Sequence, residues 1–241
     1  MNSICQKSRD NKSAKTSRRE LIDRIAMGVA HEIRNPLTVI KGYLQLQERK
    51  SAYCTGESLG IIYQELHRIE ALATNIIALA QNKAIKKSPV NLNGLLKKIY
   101  PVIQSAALKN GIVTELLLGD NLPMLDLNAE EIEQLVVNLA CNGIEAMQAN
   151  GRLTIGAVRK SSRVILYIQD EGSGIPPEQL EQIFDPFYTT KECNTGLGLA
   201  VSRSIVERHH GKIKIVSTLG AGSVFKILFP ILERGQHSGR R

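Results

Sequence analysis

Within five residues, one stretch of the chain carries an imidazole, a carboxylate and an amide: His31-Glu32-Ile33-Arg34-Asn35-Pro36-Leu37. A neutral imidazole is a competent nucleophile near neutral pH, provided the proton on its second ring nitrogen is held or removed as the new bond forms. Glu32, its immediate neighbour, is the acceptor for that task. Asn35 lies one helical turn beyond His31 on the same face, where its amide can orient a water or a phosphoryl oxygen. Pro36 removes a backbone donor and is expected to kink the helix just past His31. A lone His-Glu pair is an ordinary surface feature of helices; the attached Arg34-Asn35-Pro36-Leu37 sets this one apart.

A second set of polar and glycine residues is spread over the last hundred positions. Asn138 and Asn142 are four apart and share a helix face, so their amides can hold a magnesium ion through oxygen or bond phosphate and ribose. Asp170-Glu-Gly-Ser-Gly174 follows a strand-like run. A carboxylate there can accept a hydrogen bond from an amino group such as that of adenine. Gly172 and Gly174 are expected to let backbone approach a flat base. Thr195-Gly-Leu-Gly-Leu199 precedes a helix, and the free N–H groups at a helix start bind phosphate. Taken singly these are weak signals, since Asn pairs are usually solvent-facing and Asp-x-Gly-x-Gly is usually a turn. No Walker spacing and no Gly-Lys-Ser/Thr occurs among them.

The order and separation of the pieces is specific. His31 to Leu37 resembles the H-box of bacterial sensor histidine kinases of the HisKA type, and Glu32 through Asn35 fits that family's Glu-x-x-Asn pattern for assisting dephosphorylation of the partner. The later clusters resemble the N, G1, F and G2 boxes of the GHKL ATPase fold, with Phe184-Asp-Pro-Phe187-Tyr188-Thr-Thr-Lys191 matching the F-box. The likeness covers roughly residues 20–232 and is strongest to the sporulation-initiating kinases of Bacillus-type bacteria. It implies an ATP-dependent protein-histidine kinase that phosphorylates His31 and passes the group to an aspartate on a response regulator receiver domain. It further implies Asn142 as the Mg²⁺ ligand, Asn138 as a neighbouring phosphate or metal-shell contact, and Asp170 as the reader of the adenine amino group. Gly172, Gly174, Gly196 and Gly198 would frame base and phosphates. Ser223 would stand where the family usually has Thr near adenine, and Lys191 would contact phosphate within a lid over residues 176–195. Glu145 departs from the pattern, since many relatives carry Lys or Arg there.

These residues need elements to hold them. Ile22, Ile25, Val29, Ile33, Leu37, Ile40 and Leu44 recur at steps of three and four, the stripe of an amphipathic helix. Turn formers over residues 50–58 interrupt it. Leu59, Ile62, Leu66, Ile69, Ala73, Ile76 and Ala80 then form a coiled-coil-like seam. The expected result is an antiparallel helical hairpin that gains a sufficient core only as a four-helix bundle with a second copy. After a linker at 85–89 the texture becomes mixed. Helices are expected over Gly94–Lys109, Asn128–Asn150 and Leu199–His209. Strands are expected over Ile112–Leu118, Leu153–Val158, Val164–Gln169, Lys212–Ser217 and Ser223–Phe229, with loop over most of Gly172–Thr195. The fold class is therefore α+β: a hairpin over 20–84, then a GHKL α/β sandwich over 90–232 with a mixed sheet, and a tail over 233–241.

Composition limits the alternatives. With 43% hydrophobic and 22% charged residues the chain can build real cores. Aromatics are 4% and Trp is absent, which argues against a nucleic-acid stacking platform. The four cysteines form no CxxC pair, so neither a zinc site nor a disulfide framework is expected. The net charge of +8 is concentrated in residues 1–19, where Lys7, Arg9, Lys12, Lys15, Arg18 and Arg19 face Asp10. Such a segment suits the cytoplasmic flank of a membrane span, and equally a solvated helix start. The expected setting is a cytoplasmic fragment of a membrane-anchored protein. Its expected partners are a second copy, a receiver domain and small inhibitor proteins on the helix bundle. A clamping ATPase or a serine kinase is the competing class. The former carries a catalytic Glu where this chain has Asn138, and neither has the His31 hairpin.

Overall fold

The computed structural model describes Val29 and residues 32–46, 56–80, 85–191 and 195–231. His31 and the basic segment over 1–19 lie outside the described residues, as does the tail over 233–241. The chain forms two compact units.

The first unit is built around two helices, α1 over residues 32–46 and α2 over Gly56–Ala80. The helix continues through Pro36, which is buried. The donor Pro36 lacks would have reached the carbonyl of Glu32, a single missing bond in the ladder. The apolar stripe is only partly used within one chain. Leu72 is 1% exposed, whereas the expected seam residues Leu37, Leu44, Leu59 and Leu66 stay 41–49% exposed. A stripe this wide serves two neighbours: one flank faces the partner helix, and the other is left over.

The second unit comprises Ala78–Tyr188 and the chain from Gly198 onward. Its strands and helices are β1 (Ser88–Val90), α3 (Leu92–Lys109), β2 (Val113–Leu118), β3 (Leu125–Leu127), α4 (Ala129–Ala146), β4 (Arg152–Lys160), β5 (Arg163–Asp170), α5 (Gly198–Arg208), β6 (Lys212–Thr218) and β7 (Gly222–Pro230). The main sheet has the order β2-β4-β5-β7-β6, with β2 parallel to β4 and every other pair antiparallel. Alternate residues Val164, Leu166 and Ile168 of β5 and Phe225, Ile227 and Phe229 of β7 are buried. They share a core with Leu135, Val136 and Leu139 of α4 and Val201 and Ile205 of α5. This is the expected two-layer sandwich of helices on a mixed sheet.

Local chemistry sets the element ends. Asn91 caps α3 by accepting from the Gly94 N–H at 3.0 Å, and Asn128 caps α4 by accepting from the Glu131 N–H at 3.0 Å. Glu130 and Glu131 in the first turn of α4 complement its positive end. The expected helix to Asn150 stops at Ala146, because Met147 turns extended and Asn150 takes a left-handed φ of 72°. Ser88–Val90, read as the end of a linker, pairs antiparallel with β3 instead. Two single 3-10 turns, Pro177–Gln179 and Gln182–Phe184, punctuate the long loop after β5.

Candidate active site

In the hairpin, Glu32 sits one position after His31 on α1. Arg68 of α2 points at it, with Nη2 3.7 Å from Glu32 Oε2. That oxygen is buried yet has no hydrogen-bond donor among the described residues. Among the described residues its charge is therefore met by the Arg68 guanidinium at ion-pair distance and by no hydrogen bond. Asn35 is exposed on the same helix. An open depression along α1 is lined by Ile33, Arg34, Leu37, Thr38 and Lys41.

In the second unit the centre is Asp170 at the end of β5, 5% exposed. Its Oδ1 accepts the Gly172 N–H at 2.9 Å and the Ser223 N–H at 3.3 Å. Strand β7 delivers Ser223 because Asp170 and Ser223 are direct partners in the β5–β7 register. The Ser223 hydroxyl lies 2.9 Å from Ser217 Oγ, which also accepts the Ile175 N–H at 2.8 Å. The floor beside the carboxylate is helix α4. A Cβ on Gly143 would come within 2.9 Å of Leu153 and 3.2 Å of Asp170. That glycine lets α4 lie directly against the strand end.

The glycines of the Asp170 loop work differently from the expectation. A Cβ on Gly172 would meet the Ala146 carbonyl at 2.6 Å, and one on Gly174 the Thr218 carbonyl at 2.2 Å. Their missing side chains make room for protein backbone, which draws the loop in against α4 and β6. Gly222, not singled out from sequence, has φ 96°, and a Cβ there would stand 2.0 Å from the Asp170 carbonyl. At Gly198, by contrast, a Cβ would meet nothing within 4 Å, so the start of α5 faces open space. The Gly198 carbonyl accepts from Ser202 Oγ at 2.8 Å and from Asn138 Nδ2 at 3.4 Å. Asn138 thus borders the helix start expected to take phosphate. Asn142 is half-buried and makes no side-chain hydrogen bond among the described residues. Gly196 takes a left-handed φ of 64°, and the Lys191 N–H donates to Thr189 Oγ1 at 3.1 Å. Both belong to the segment that the second unit leaves out.

Burial pushes the Cys141 thiol above its ordinary range, and the Glu145 charge adds to this, so it is no nucleophile. Among the described residues no three His, Cys, Asp or Glu cluster as a metal cage. One amide oxygen plus substrate phosphates is the donor set Mg²⁺ accepts, and Asn142 fits it. Phe184 of the F-box-like stretch lies under the Arg203 guanidinium, 5.9 Å from the ring centre, and Phe187 holds a left-handed φ of 68°.

Comparison with known proteins assigns both parts of the chain to a family. Residues 18–85 match the His Kinase A (phospho-acceptor) domain, and residues 127–233 match the Histidine kinase-, DNA gyrase B-, and HSP90-like ATPase. The chain belongs to the histidine kinases. Its relatives include sporulation kinase C of Bacillus subtilis, 37% identical over 86% of this chain and 48% of that protein. Sporulation kinase E of the same organism is 32% identical over 96% of this chain and 31% of that protein. The chain thus spans less than half the length of these relatives. The solved catalytic domain of histidine kinase ThkA is 32% identical over 61% of this chain and 96% of that one, with TM-score 0.55. ThkA in complex with response regulator TrrA covers 93% of this chain and 66% of that one at 28% identity, with TM-score 0.75. Among the described residues no helix is long and apolar enough to cross a membrane.

Proposed function

We propose that this chain is the kinase core of a two-component or phosphorelay receptor, and that it transfers the γ-phosphoryl group of ATP to His31. The observation that carries this is the pairing, in one chain, of the His31-Glu32 stretch entering α1 with Asp170, whose carboxylate is held by the Gly172 and Ser223 N–H groups at the end of β5. Asp170 holds the adenine amino group, Asn138 and the start of α5 hold phosphate, and Asn142 holds Mg²⁺. Lys191 adds positive charge from the lid, and Gly196 shapes the turn before α5. When bound, Mg²⁺-ATP supplies the phosphoryl group and neutralises its charge. The imidazole nitrogen of His31 forms the new N–P bond as the bond to ADP breaks, and Glu32 takes the hydrogen bond from the other ring nitrogen. Asn35 orients the attacking water when phosphoryl groups are removed from the partner.

The next acceptor is an aspartate of a receiver domain, docked along the α1 depression; the ThkA–TrrA complex supports this class of partner. A second copy completes the bundle, and the surrounding full-length protein is anchored in a membrane with this part facing the cytoplasm. The names of the relatives favour sporulation control as the output. Incubation with γ-labelled ATP tests the central step. Label is expected in the wild-type chain, stable to base and labile to acid, and absent from His31→Gln. Undiminished label in that variant would remove His31 from the mechanism.

A further inference from the structure

The main sheet of the second unit has two faces, and helices cover one of them. Side chains that alternate with the buried ones on β5 and β7 point to the other: Ile165 and Tyr167, then Val224, Lys226 and Leu228, all half-buried. Both strands are interior to the sheet, so this exposure marks a face without a second layer. The register builds a continuous surface from these residues. Ile165 stands between Val158 of β4 and Leu228, and Leu228 stands beside Lys212 of β6. Tyr167 stands between Gly156 of β4 and Lys226. A Cβ on Gly156 would come within 2.2 Å of the tyrosine ring, so the glycine lets that ring lie across the neighbouring strand.

The charges on this face are arranged against stability. Lys214 of β6 and Lys226 of β7 are direct cross-strand partners, and so are Lys160 of β4 and Arg163 of β5. Like charges directly opposite one another repel. Among the described residues neither these four nor Lys212 has an ion-pair partner. The acid on the same side, Glu115 of β2, already faces Arg152 at 3.7 Å. Lysines on an edge strand discourage pairing with another chain, which accounts for Lys212 and Lys214. It does not account for Lys226, Arg163 or Lys160, which lie on interior strands.

We propose that this face docks an acidic amphipathic helix of a partner protein, with its apolar stripe on Ile165, Tyr167 and Leu228 and its carboxylates on Lys214, Lys226 and Arg163. A helix fits because α4, of 18 residues, covers the inner side of the same strands, and a second helix layer completes the sheet in the same way. The apolar centre gives area and the basic rim gives selectivity for the acid. This chain does not supply such a helix from its ends: residues 1–28 and 232–241 are themselves rich in Lys and Arg. A second copy laid face to face would set the same cations against one another. A nucleic acid would find Tyr167 as its single aromatic and no stacking platform. A bilayer takes protruding apolar side chains, whereas Ile165 and Leu228 are half-buried. The Asp170 side chain lies on the α4 side of the sheet, so docking leaves the nucleotide cleft open.

The test titrates the full chain with a synthetic helical peptide of about 18 residues, Leu along one face and Glu along its flanks, and follows backbone amide NMR shifts. Saturable binding with Kd below about 100 μM is expected, with the shifts concentrated on β5, β7 and β6. Lys214→Glu should weaken binding at least about fivefold, and Lys214→Glu combined with Lys226→Glu at least about twentyfold. Affinity for an ATP analogue should stay within about twofold in both variants, which also shows that they fold. No saturation by about 1 mM peptide would overturn the proposal, as would unchanged affinity in both variants or shifts confined to other elements. Equal binding of a scrambled peptide of the same composition would overturn it too, because charge alone would then suffice. Two further probes are vesicles of equal parts phosphatidylglycerol and phosphatidylcholine, and a short DNA duplex. Tighter binding of either, lost in the same variants, would give the face to a lipid surface or a nucleic acid and overturn the helix.

Discussion

At the scale of single residues the cleft is organised around one carboxylate. Asp170 was legible because an acid at a strand end followed by Gly-x-Gly is a compact local pattern, and Ser223 followed from the likeness. Gly143 and Gly222 were not legible as partners of Asp170, since their contacts span 27 and 52 positions and no local pattern marks a missing Cβ. Asp170→Asn tests the centre. The amide can still accept at Oδ1, so the loop keeps its hydrogen bonds while the charge that favours an amino donor is lost. A hydrogen bond to a charged group is worth about 1.5–3 kcal/mol, so affinity for an ATP analogue should fall roughly tenfold to a hundredfold in a fluorescence titration. His209 makes a separate prediction. Burial pushes its pKa below the ordinary 6.5, the largest of several effects. The unfolded chain therefore takes up a proton below about pH 6.5 that the folded one resists, and the stabilisation present above that pH is lost as pH falls toward the folded pKa. Urea midpoints at about pH 7.5 and about pH 5.5 should converge when His209→Gln is compared with wild type, because the variant lacks this dependence.

At the scale of elements, legibility followed length. Helix α4 announced itself through its Asn128 cap, its acidic first turn and a long periodic run, and only its C-terminal end was misread. Strands β1 and β3 have three residues each, too few for alternation to register. Their pairing also depends on a contact between Ser88 and Leu127, across 39 positions. The hairpin shows a third kind of limit. A seven-residue repeat states that helices pack but not which flank meets which neighbour, so Leu59 and Leu66 were placed in the same seam as Ile62 and Ile69. Leu72, outside that seam, is the buried residue among the described side chains of α2. Truncating it should test this reading of α2. Leu72→Ala removes a fully buried side chain and should cost about 2–5 kcal/mol. Leu66→Ala in the monomeric chain should cost far less, as chemical denaturation of the two variants under dissociating conditions would show.

At the scale of the whole molecule, the unused flank of the hairpin is the strongest argument for a second copy. Leu37 and Leu44 lie seven apart on α1, and Leu59 and Leu66 lie seven apart on α2, each between 41% and 49% exposed. Burying one such side chain from full exposure is worth about 1.5–3 kcal/mol and these are already more than half covered, so each contributes about half of that, and four in each of two copies together offset a cost of association of about the same size if they meet. A four-helix bundle lets them do so, with each hairpin's leftover flank becoming the core it lacks alone. Wild-type chain should therefore sediment as a dimer at micromolar concentration. The double variant Leu59→Glu, Leu66→Glu places charge in the centre of that core and should sediment as a monomer. Its affinity for an ATP analogue should stay within about twofold, because Asp170, Asn138 and Asn142 belong to a unit with its own core. A double variant that remains dimeric would put the interface elsewhere and leave the exposed heptads without an occupant. A monomer that also loses the nucleotide would show that the two units are not energetically separate. Only dissociation with nucleotide binding retained fits a hairpin that brings two acceptors together and a cleft that works in either copy.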